Sequence, residues 1–192
     1  MNEVMIKELI PQVVDGNQFA SGEFYEFTKT HVYRTIYFLY EYKDEIDDIT
    51  QEVYYQLFKS LKNYDHNKPF KPWLTAIVIK LVSNARRKKW RFKRVMEKIF
   101  RFHIPVQDQS VAIIQNEAYV QLLKVVDQLS PKLKEVILLK YIHQLSQEEI
   151  GKILEIPIGT VKSRINSALR KLRNCNQLKA FITIEEGQGH EF

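Results

Sequence analysis

The residues best suited to chemistry lie near the C-terminus, where small polar side chains stand among cations. Residues 160–173 carry five basic residues and no acid. At about 100° per residue, a helix would place Ser163, Asn166 and Arg170 opposite an apolar stripe that runs from Val161 to Leu172. Such polar side chains can reach base edges in the major groove of DNA, while flanking cations hold phosphates. The pattern predicts a DNA-reading helix; the alternative is an amphipathic basic helix on a protein surface.

Two earlier helices are predicted to position this reader. Ser130-Pro131 supplies an N-cap and a first helical residue, and the helix that follows is predicted to break at His143-Gln144. Ser146 and Glu149 have the spacing of a capping box, which predicts the start of a short second helix. Pro157 cannot lie inside that helix but suits the first turn of the reader. The order of elements is typical of a helix-turn-helix.

The N-terminal half also has a helical apolar period. One helix is predicted over residues 46–61, another from Phe19 to Tyr42, and a third from Phe70 past Trp90, after turn residues at 63–69. Residues 41–52 carry six acids and one lysine, whereas residues 86–94 carry seven bases and no acid. Charge runs are usually solvated faces, but opposite charge on two helices of one small module suggests two different partners.

Composition narrows the classes of function. The chain has 192 residues, 45% hydrophobic residues and a net charge of +6. The charge fits a polyanionic partner such as nucleic acid or an anionic membrane surface, although a basic soluble protein is the simpler alternative. A single cysteine, Cys175, and the lack of a signal peptide or an apolar membrane span predict a cytoplasmic protein. No motif for a nucleotide, a metal or covalent catalysis is present, so we expect no enzyme activity, cofactor or metal.

Residues Leu129 to Arg173 closely resemble region 4 of sigma factors, the promoter-recognition subunits of bacterial RNA polymerase. The likeness is greatest to the extracytoplasmic-function (ECF) group of the sigma-70 family. It is carried by Leu129-Ser130-Pro131, by Glu148-Glu149-Ile150, and by Gly159-Thr160-Val161-Lys162-Ser163-Arg164. Residues 47–61 and 70–84, followed by the basic run, resemble region 2 of the same family.

The resemblance implies three sets of binding residues. The residues that would dock on core polymerase are Asp47, Asp48, Gln51, Glu52 and Tyr55. The residues that would bind the −10 element are Asn63, Tyr64, Asp65, His66, Asn67, Phe70, Lys80, Asn84, Arg87 and Lys88. The residues that would read the −35 element are Thr160, Lys162, Ser163, Arg164, Asn166, Ser167 and Arg170.

Within the −10 set, Tyr64 and Phe70 are expected to offer stacking faces to a flipped base. Arg86 and Lys89, which are not in that set, are expected to lie with Arg87 along duplex phosphates. Two positions depart from the family pattern. Lys80 stands where many relatives carry Asn, and Ser167 where many carry Arg, so a promoter sequence cannot be carried over.

The resemblance implies an all-α fold of two helical domains joined by a flexible linker. The expected divisions are region 2 over residues 1–94, a linker over 95–117, region 4 over 118–176 and a tail over 177–192. The implied partners are core RNA polymerase through its β′ coiled coil and β flap, promoter DNA, and an anti-sigma factor that could hold the chain at the inner membrane face. No small-molecule substrate is implied.

Three other functions compete with this interpretation. A stand-alone helix-turn-helix regulator explains residues 130–173 but not the acidic helix, the loop or the basic helix. A nucleic-acid enzyme lacks support, since no paired acids occupy a plausible metal-binding face. In a protein-interaction module, the basic runs would simply be solvated faces. DNA binding and polymerase binding separate the three.

Overall fold

Helices account for the regular structure wherever the computed structural model describes the chain, namely residues 3–99, 126 and 128–174. No β-strand occurs in those ranges, which confirms the all-α expectation. Contacts divide the chain into two units, residues 1–110 and 111–192. Each unit has its own buried apolar core. Most of the predicted linker and the whole predicted tail, as well as Cys175, lie outside the described residues.

The described residues of the first unit form four helices and one short 3₁₀ turn. They are α1 (Glu3–Val14), α2 (Gln18–Leu39), the 3₁₀ turn Lys43–Glu45, α3 (Ile46–Leu61) and α4 (Phe70–Ile99). Each helix turns one apolar side toward a common core, in which Ile6, Phe24, Leu57 and Phe70 are fully buried. Burial of these side chains is the main stabilising term for such a unit.

The three helices predicted in this unit are present, although α2 and α4 end at other residues than predicted. The helix α3 has the predicted bounds, and its apolar stripe from Ile46 to Leu61 is buried. The helix α2 ends at Leu39, earlier than predicted, because Tyr40 leaves the helix with extended backbone angles of −102° and 125°. The helix α4 begins at Phe70 as predicted and continues to Ile99, so it enters the segment predicted as a linker.

The helix α1 was not singled out from the sequence. It ends in a reversal at Gly16, whose φ of +84° strongly favours glycine. The amide of Gly16 donates to Val13 and that of Asn17 to Gln12, which satisfies the last carbonyls of α1. The side chain of Asn17 then accepts from the amide of Ala20 and caps α2. The reversal folds α1 back against α2.

The described residues of the second unit include three helices and a π-helical turn. They are α5 (Pro131–Ile137), the π-helical turn Leu138–Ile142, α6 (Gln147–Leu154) and α7 (Ile158–Asn174). Ser130 occupies the N-cap position of α5 and Pro131 begins the helix, as predicted, although the side chain of Ser130 makes no capping bond. The predicted break is confirmed, because Gln144 has a φ of 56° after the helix ends.

The turn between α6 and α7 depends on a close backbone contact. The capping box is present as predicted, with Ser146 and Glu149 bonded reciprocally at 2.8 and 3.1 Å. The amide of Ile156 donates to the carbonyl of Gly151 at 3.0 Å. A Cβ at Gly151 would lie 3.0 Å from the carbonyl oxygen of Ile156, so a larger residue would push the turn away. This turn sets the direction in which α7 leaves.

Candidate nucleic-acid interface

The reader helix α7 buries one side and exposes the other. Val161, Ile165, Ala168 and Leu172 are buried, while Leu169 of the predicted stripe is only half-buried. The predicted −35 residues lie on the remaining surface. Those that are exposed are Lys162, Ser163, Asn166 and Arg170. Those that are half-buried are Thr160, Arg164 and Ser167.

One polar side chain of α7 already has a partner within the helix. The hydroxyl of Ser163 donates to the carbonyl of Thr160 at 3.0 Å. That bond leaves the lone pairs of the Ser163 oxygen as acceptors, whereas the amide of Asn166 can both donate and accept. The exposed side of α7 therefore offers mixed hydrogen-bonding groups bordered by Lys162 and Arg170, which is the chemistry that base edges and phosphates require.

The acidic side of α3 is exposed to solvent. Asp47, Asp48, Gln51, Glu52 and Tyr55 are all exposed, and the ring of Tyr55 is 61% exposed. These residues lie opposite the buried stripe of α3. An aromatic ring among carboxylates can bury apolar area while the acids select a basic partner.

The loop between α3 and α4, residues 62–69, separates polar side chains from aromatic ones. Asn63, Asp65, His66 and Asn67 are exposed, whereas Tyr64 is buried. A carboxylate oxygen of Asp65 accepts from the amide of Asn67 at 3.0 Å. That bond, with a smaller contribution from Lys68, lowers the pKa of Asp65. The exposed donors and acceptors of the loop are thus held by a hydrogen-bonded turn.

Two members of the predicted −10 set do not offer stacking faces. Tyr64 is 5% exposed and Phe70 is fully buried. Their rings contact each other at 5.5 Å, and the ring of Phe24 lies 5.7 Å from Phe70. Trp73, which is half-buried, lies 4.9 Å from Tyr64. Burial is the larger of two causes that raise the pKa of Tyr64, and the other is the negative charge of nearby carboxylates. The expectation of free stacking surfaces was wrong, because aromatic partners on α2 and α4 cover both rings.

The polar residues of α4 that were predicted to bind DNA form two groups, one exposed and one paired with carboxylates. Lys80, Asn84, Arg87 and Lys88 are exposed, and a guanidinium nitrogen of Arg87 donates to the amide oxygen of Asn84 at 2.6 Å. These four positions keep the outward placement that the sequence predicts.

Two further cations of the basic run, Arg86 and Lys89, pair with carboxylates of the protein itself. Arg86 pairs with Glu41 at 3.2 Å, and Lys89 pairs with Glu45. The hydroxyl of Tyr40 also donates to Glu45, at 2.6 Å. Burial would raise the pKa of Glu45, but the bonds from Lys89 and Tyr40 outweigh it and lower that pKa. The expectation that Arg86 and Lys89 lie along phosphates therefore conflicts with their carboxylate partners.

These ion pairs and the contacts of α1 were missed from the sequence. A signal for the first existed, since the acidic residues 41–45 and the basic residues 86–89 carry opposite charge. The contacts of α1 also had a signal in the sequence. Pro69 precedes α4 and has no side-chain acceptor, so the first amides of α4 need an acceptor from another part of the chain. The carboxylate of Glu3 on α1 supplies that acceptor, at 3.0 Å from the amide of Lys71.

Among the described residues, no group of three or more His, Cys, Asp or Glu side chains could hold a metal ion. Within the same part of the chain, no helix combines the length and apolar character that crossing a membrane requires.

Comparison with family models gives two matches. Residues 24–92 match the model described as Sigma-70 region 2, and residues 119–172 match that described as Sigma-70, region 4. The first match covers most of α2, all of α3 and most of α4, and the second includes α5, α6 and most of α7. The helix α1 precedes both.

Curated relatives match along most of the chain. The ECF RNA polymerase sigma factor SigW of Bacillus subtilis (strain 168) is 34% identical over 180 residues, which cover 89% of this chain and 96% of the relative. The ECF RNA polymerase sigma factor SigE of Mycolicibacterium smegmatis is 30% identical, with 83% of this chain and 63% of the relative covered.

Solved structures share the fold. The sigma factor RpoE of Bartonella quintana, in complex with the anti-sigma factor NepR, superposes with a TM-score of 0.66 at 20% identity, covering 82% of this chain and 96% of that one. CnrH, in complex with the cytosolic domain of CnrY, gives a TM-score of 0.61 at 21% identity, covering 91% and 99%. At these identities the likeness concerns the fold alone.

Proposed function

The chain belongs to the extracytoplasmic-function group of the sigma-70 family, and we propose that it is a non-enzymatic subunit that directs core RNA polymerase to promoters. In this role it recognises −35 and −10 elements and promotes the melting of DNA. The observation that carries the proposal is the presence of both family regions, in order, within a chain that is 34% identical to a curated sigma factor over 96% of that relative.

The acidic side of α3 is proposed as the docking site for core polymerase. Its exposed members Asp48, Glu52 and Tyr55 offer charge and apolar area together. Complementary charge would speed association with a basic segment, such as the β′ coiled coil, and fix its register. A second contact is proposed between the domain of residues 118–176 and the β flap. The first contact is supported by the family and by the charge of this side of α3, and the second by the family.

The exposed side of α7 is proposed to read the −35 element. Ser163 and Asn166 have the short side chains that base-edge contacts need, and Lys162, Arg164 and Arg170 can hold phosphates. Thr160 and Ser167, which are half-buried, lie at the margin of this surface. A helix whose other side is packed against α5 and α6 is a rigid reader.

The loop of residues 62–69 is proposed to capture an unpaired base of the −10 element. Hydrogen-bonding groups are supplied by its exposed polar side chains, which are Asn63, Asp65, His66 and Asn67. The buried ring of Tyr64 anchors the loop to the core. The exposed cations of α4 would hold nearby phosphates. Melting needs no covalent chemistry, since binding the open strand more tightly than the duplex shifts the equilibrium toward the open form.

An anti-sigma factor is the further partner proposed from the family. Such a partner could be a membrane protein that keeps the sigma factor inactive at the inner face of the cytoplasmic membrane. We propose that the chain acts in the cytoplasm, where its polymerase is.

Polymerase binding and DNA binding, measured separately, test the function. We expect the purified chain to form a complex with core polymerase, and that complex to retain promoter duplex at salt concentrations at which the chain alone does not. A stand-alone helix-turn-helix regulator would behave oppositely, because it would bind operator duplex by itself and leave core polymerase unbound. Size-exclusion chromatography and gel-shift titration of the same samples distinguish the two outcomes.

A further inference from the structure

The helix α1 makes one polar contact with the loop of residues 62–69 and another with the first turn of α4. The ammonium of Lys7 donates to the backbone carbonyl of His66 at 2.9 Å, across 59 residues of sequence. The carboxylate of Glu3 accepts from the amide of Lys71 at 3.0 Å, across 68 residues. One helix therefore holds both the middle of the loop and the helix start that follows it. The helix lies outside residues 24–92, so the region 2 match does not include these contacts.

Glu3 completes the N-terminus of α4. The first amides of a helix have no partner within the helix, and a side chain before the helix normally supplies one. Here the preceding residue is Pro69, which has no acceptor, and the third residue is Pro72, which has no amide hydrogen. Lys71 therefore needs an acceptor from elsewhere. A carboxylate at this end also interacts favourably with the helix dipole.

The helix α1, which carries Glu3 and Lys7, is anchored to the core by a neighbouring apolar side. Ile6 is fully buried, Ile10 is 1% exposed, and Leu9 and Val13 are each 8% exposed. The loop is thus held by two contacts: the ring of Tyr64 packs against that of Phe70 in the core, and Lys7 binds the carbonyl of His66.

We propose that α1 positions the loop of residues 62–69 for base capture, with Glu3 and Lys7 as the positioning residues. This inference rests on the proposed function of the loop. Neither residue needs to touch DNA. Their contacts hold the exposed side chains of Asn63, Asp65, His66 and Asn67 in one arrangement, and a binding site ordered in advance loses less entropy when its ligand arrives.

Four variants separate positioning from charge and from folding. Lys7→Met keeps the apolar stem and removes the donor, whereas Lys7→Arg retains a donor. Glu3→Ala removes the cap of α4. Glu8→Ala makes the same change of charge at an exposed position of the same helix and serves as the matched control.

The probe is a partly melted promoter fork with 2-aminopurine at the flipped position, bound by holoenzyme assembled from core polymerase and the full chain. We expect Lys7→Met and Glu3→Ala each to weaken fork binding about fivefold, because the loss of one typical hydrogen bond corresponds to about that ratio. Both variants should also reduce the fluorescence change. Lys7→Arg and Glu8→Ala should stay within about twofold of the parent protein. Binding to core polymerase and to a −35 duplex should be unchanged in all four.

Fork binding by Lys7→Met and Glu3→Ala equal to that of the parent would overturn the inference. An equal loss of core binding or of the thermal unfolding transition would also overturn it, because α1 would then only maintain the fold. Failure of the parent holoenzyme to bind the fork is a separate result, which would refute the proposed function of the loop itself.

Discussion

The two groups of cations on α4 should differ in their effect on the salt dependence of DNA binding. Arg87 and Lys88 are exposed, and the guanidinium of Arg87 bonds to the neutral side chain of Asn84. Arg86 and Lys89 instead pair with Glu41 and Glu45. The double variants Arg87→Gln/Lys88→Gln and Arg86→Gln/Lys89→Gln remove the same charge from the same helix, so they form a matched pair.

The expected magnitude follows from counterion release. Each phosphate contact contributes about 0.9 to the slope of log Kobs against log salt concentration on duplex DNA. Loss of Arg87 and Lys88 should therefore reduce the slope by about 1.8. Loss of Arg86 and Lys89 should reduce it by well under one unit, since their charges are engaged by carboxylates. Their side chains are 16% and 35% exposed, and removing each ion pair should cost about 0.5–1 kcal/mol of the free energy of unfolding.

The assay is equilibrium binding of holoenzyme to a promoter duplex between about 50 and 200 mM salt, the range in which such slopes are steep. Circular dichroism on the same proteins checks that the helices remain. Equal slopes for the two double variants would refute the division of α4 into exposed and engaged cations. A slope unchanged by the loss of Arg87 and Lys88 would remove those two residues from the phosphate-binding surface.

The remaining predictions concern each of the other surfaces. Reversing charge with Asp48→Arg and Glu52→Arg should weaken core binding at least tenfold, because like charges would then face a basic partner; the −35 duplex binding of the full chain, measured in parallel, should not change, and equal loss of both would contradict the docking site. Asn166→Ala, and separately Ser163→Ala, should alter base preference at −35 by about 1–3 kcal/mol in competition binding, and an unaltered preference would place base reading elsewhere. The pKa of Glu45 is lowered in the folded chain, so its ionised form stabilises the fold above the ordinary value of 4.5, and this contribution is lost as pH falls below that value. Glu45→Gln should therefore reduce the free energy of unfolding at pH 7 more than at pH 4, and a difference independent of pH would argue against the ion pair.

The sequence predicted the elements that depend on local rules. The stripe from Ile46 to Leu61 gave the bounds of α3 because each apolar residue falls on one side of a helix. The capping box of Ser146 and Glu149 marked the start of α6, since both bonds lie within four residues. The break after the π-helical turn also agreed, with Gln144 at positive φ.

Features that depend on distant residues were not predictable in this way. Tyr64 and Phe70 flank a polar loop, and only the folded chain shows that the ring of Phe24, from α2, covers Phe70. The partners of Arg86 and Lys89 lie 44 or more residues away in sequence. The contacts of Glu3 and Lys7 span still greater separations. A run of like charge shows that a surface is basic, but burial and pairing decide which of its members remain available to DNA.

The sequence resemblance and the later comparisons agree on the family, while the individual binding residues stay predictions. The exposed positions of α3 and α7 are compatible with the sets proposed from the sequence. Lys80 is exposed and Ser167 is half-buried, so both positions that depart from the family pattern remain able to alter promoter preference.

Run-off transcription tests the central claim most directly. The full chain, purified and shown to be folded, is added to core polymerase and a library of genomic promoter fragments, and the 5′ ends of the RNA products are mapped. We expect transcripts that begin at defined positions, share upstream elements, and disappear when the chain is omitted. A folded chain that binds core polymerase but yields no specific start on any fragment would contradict it.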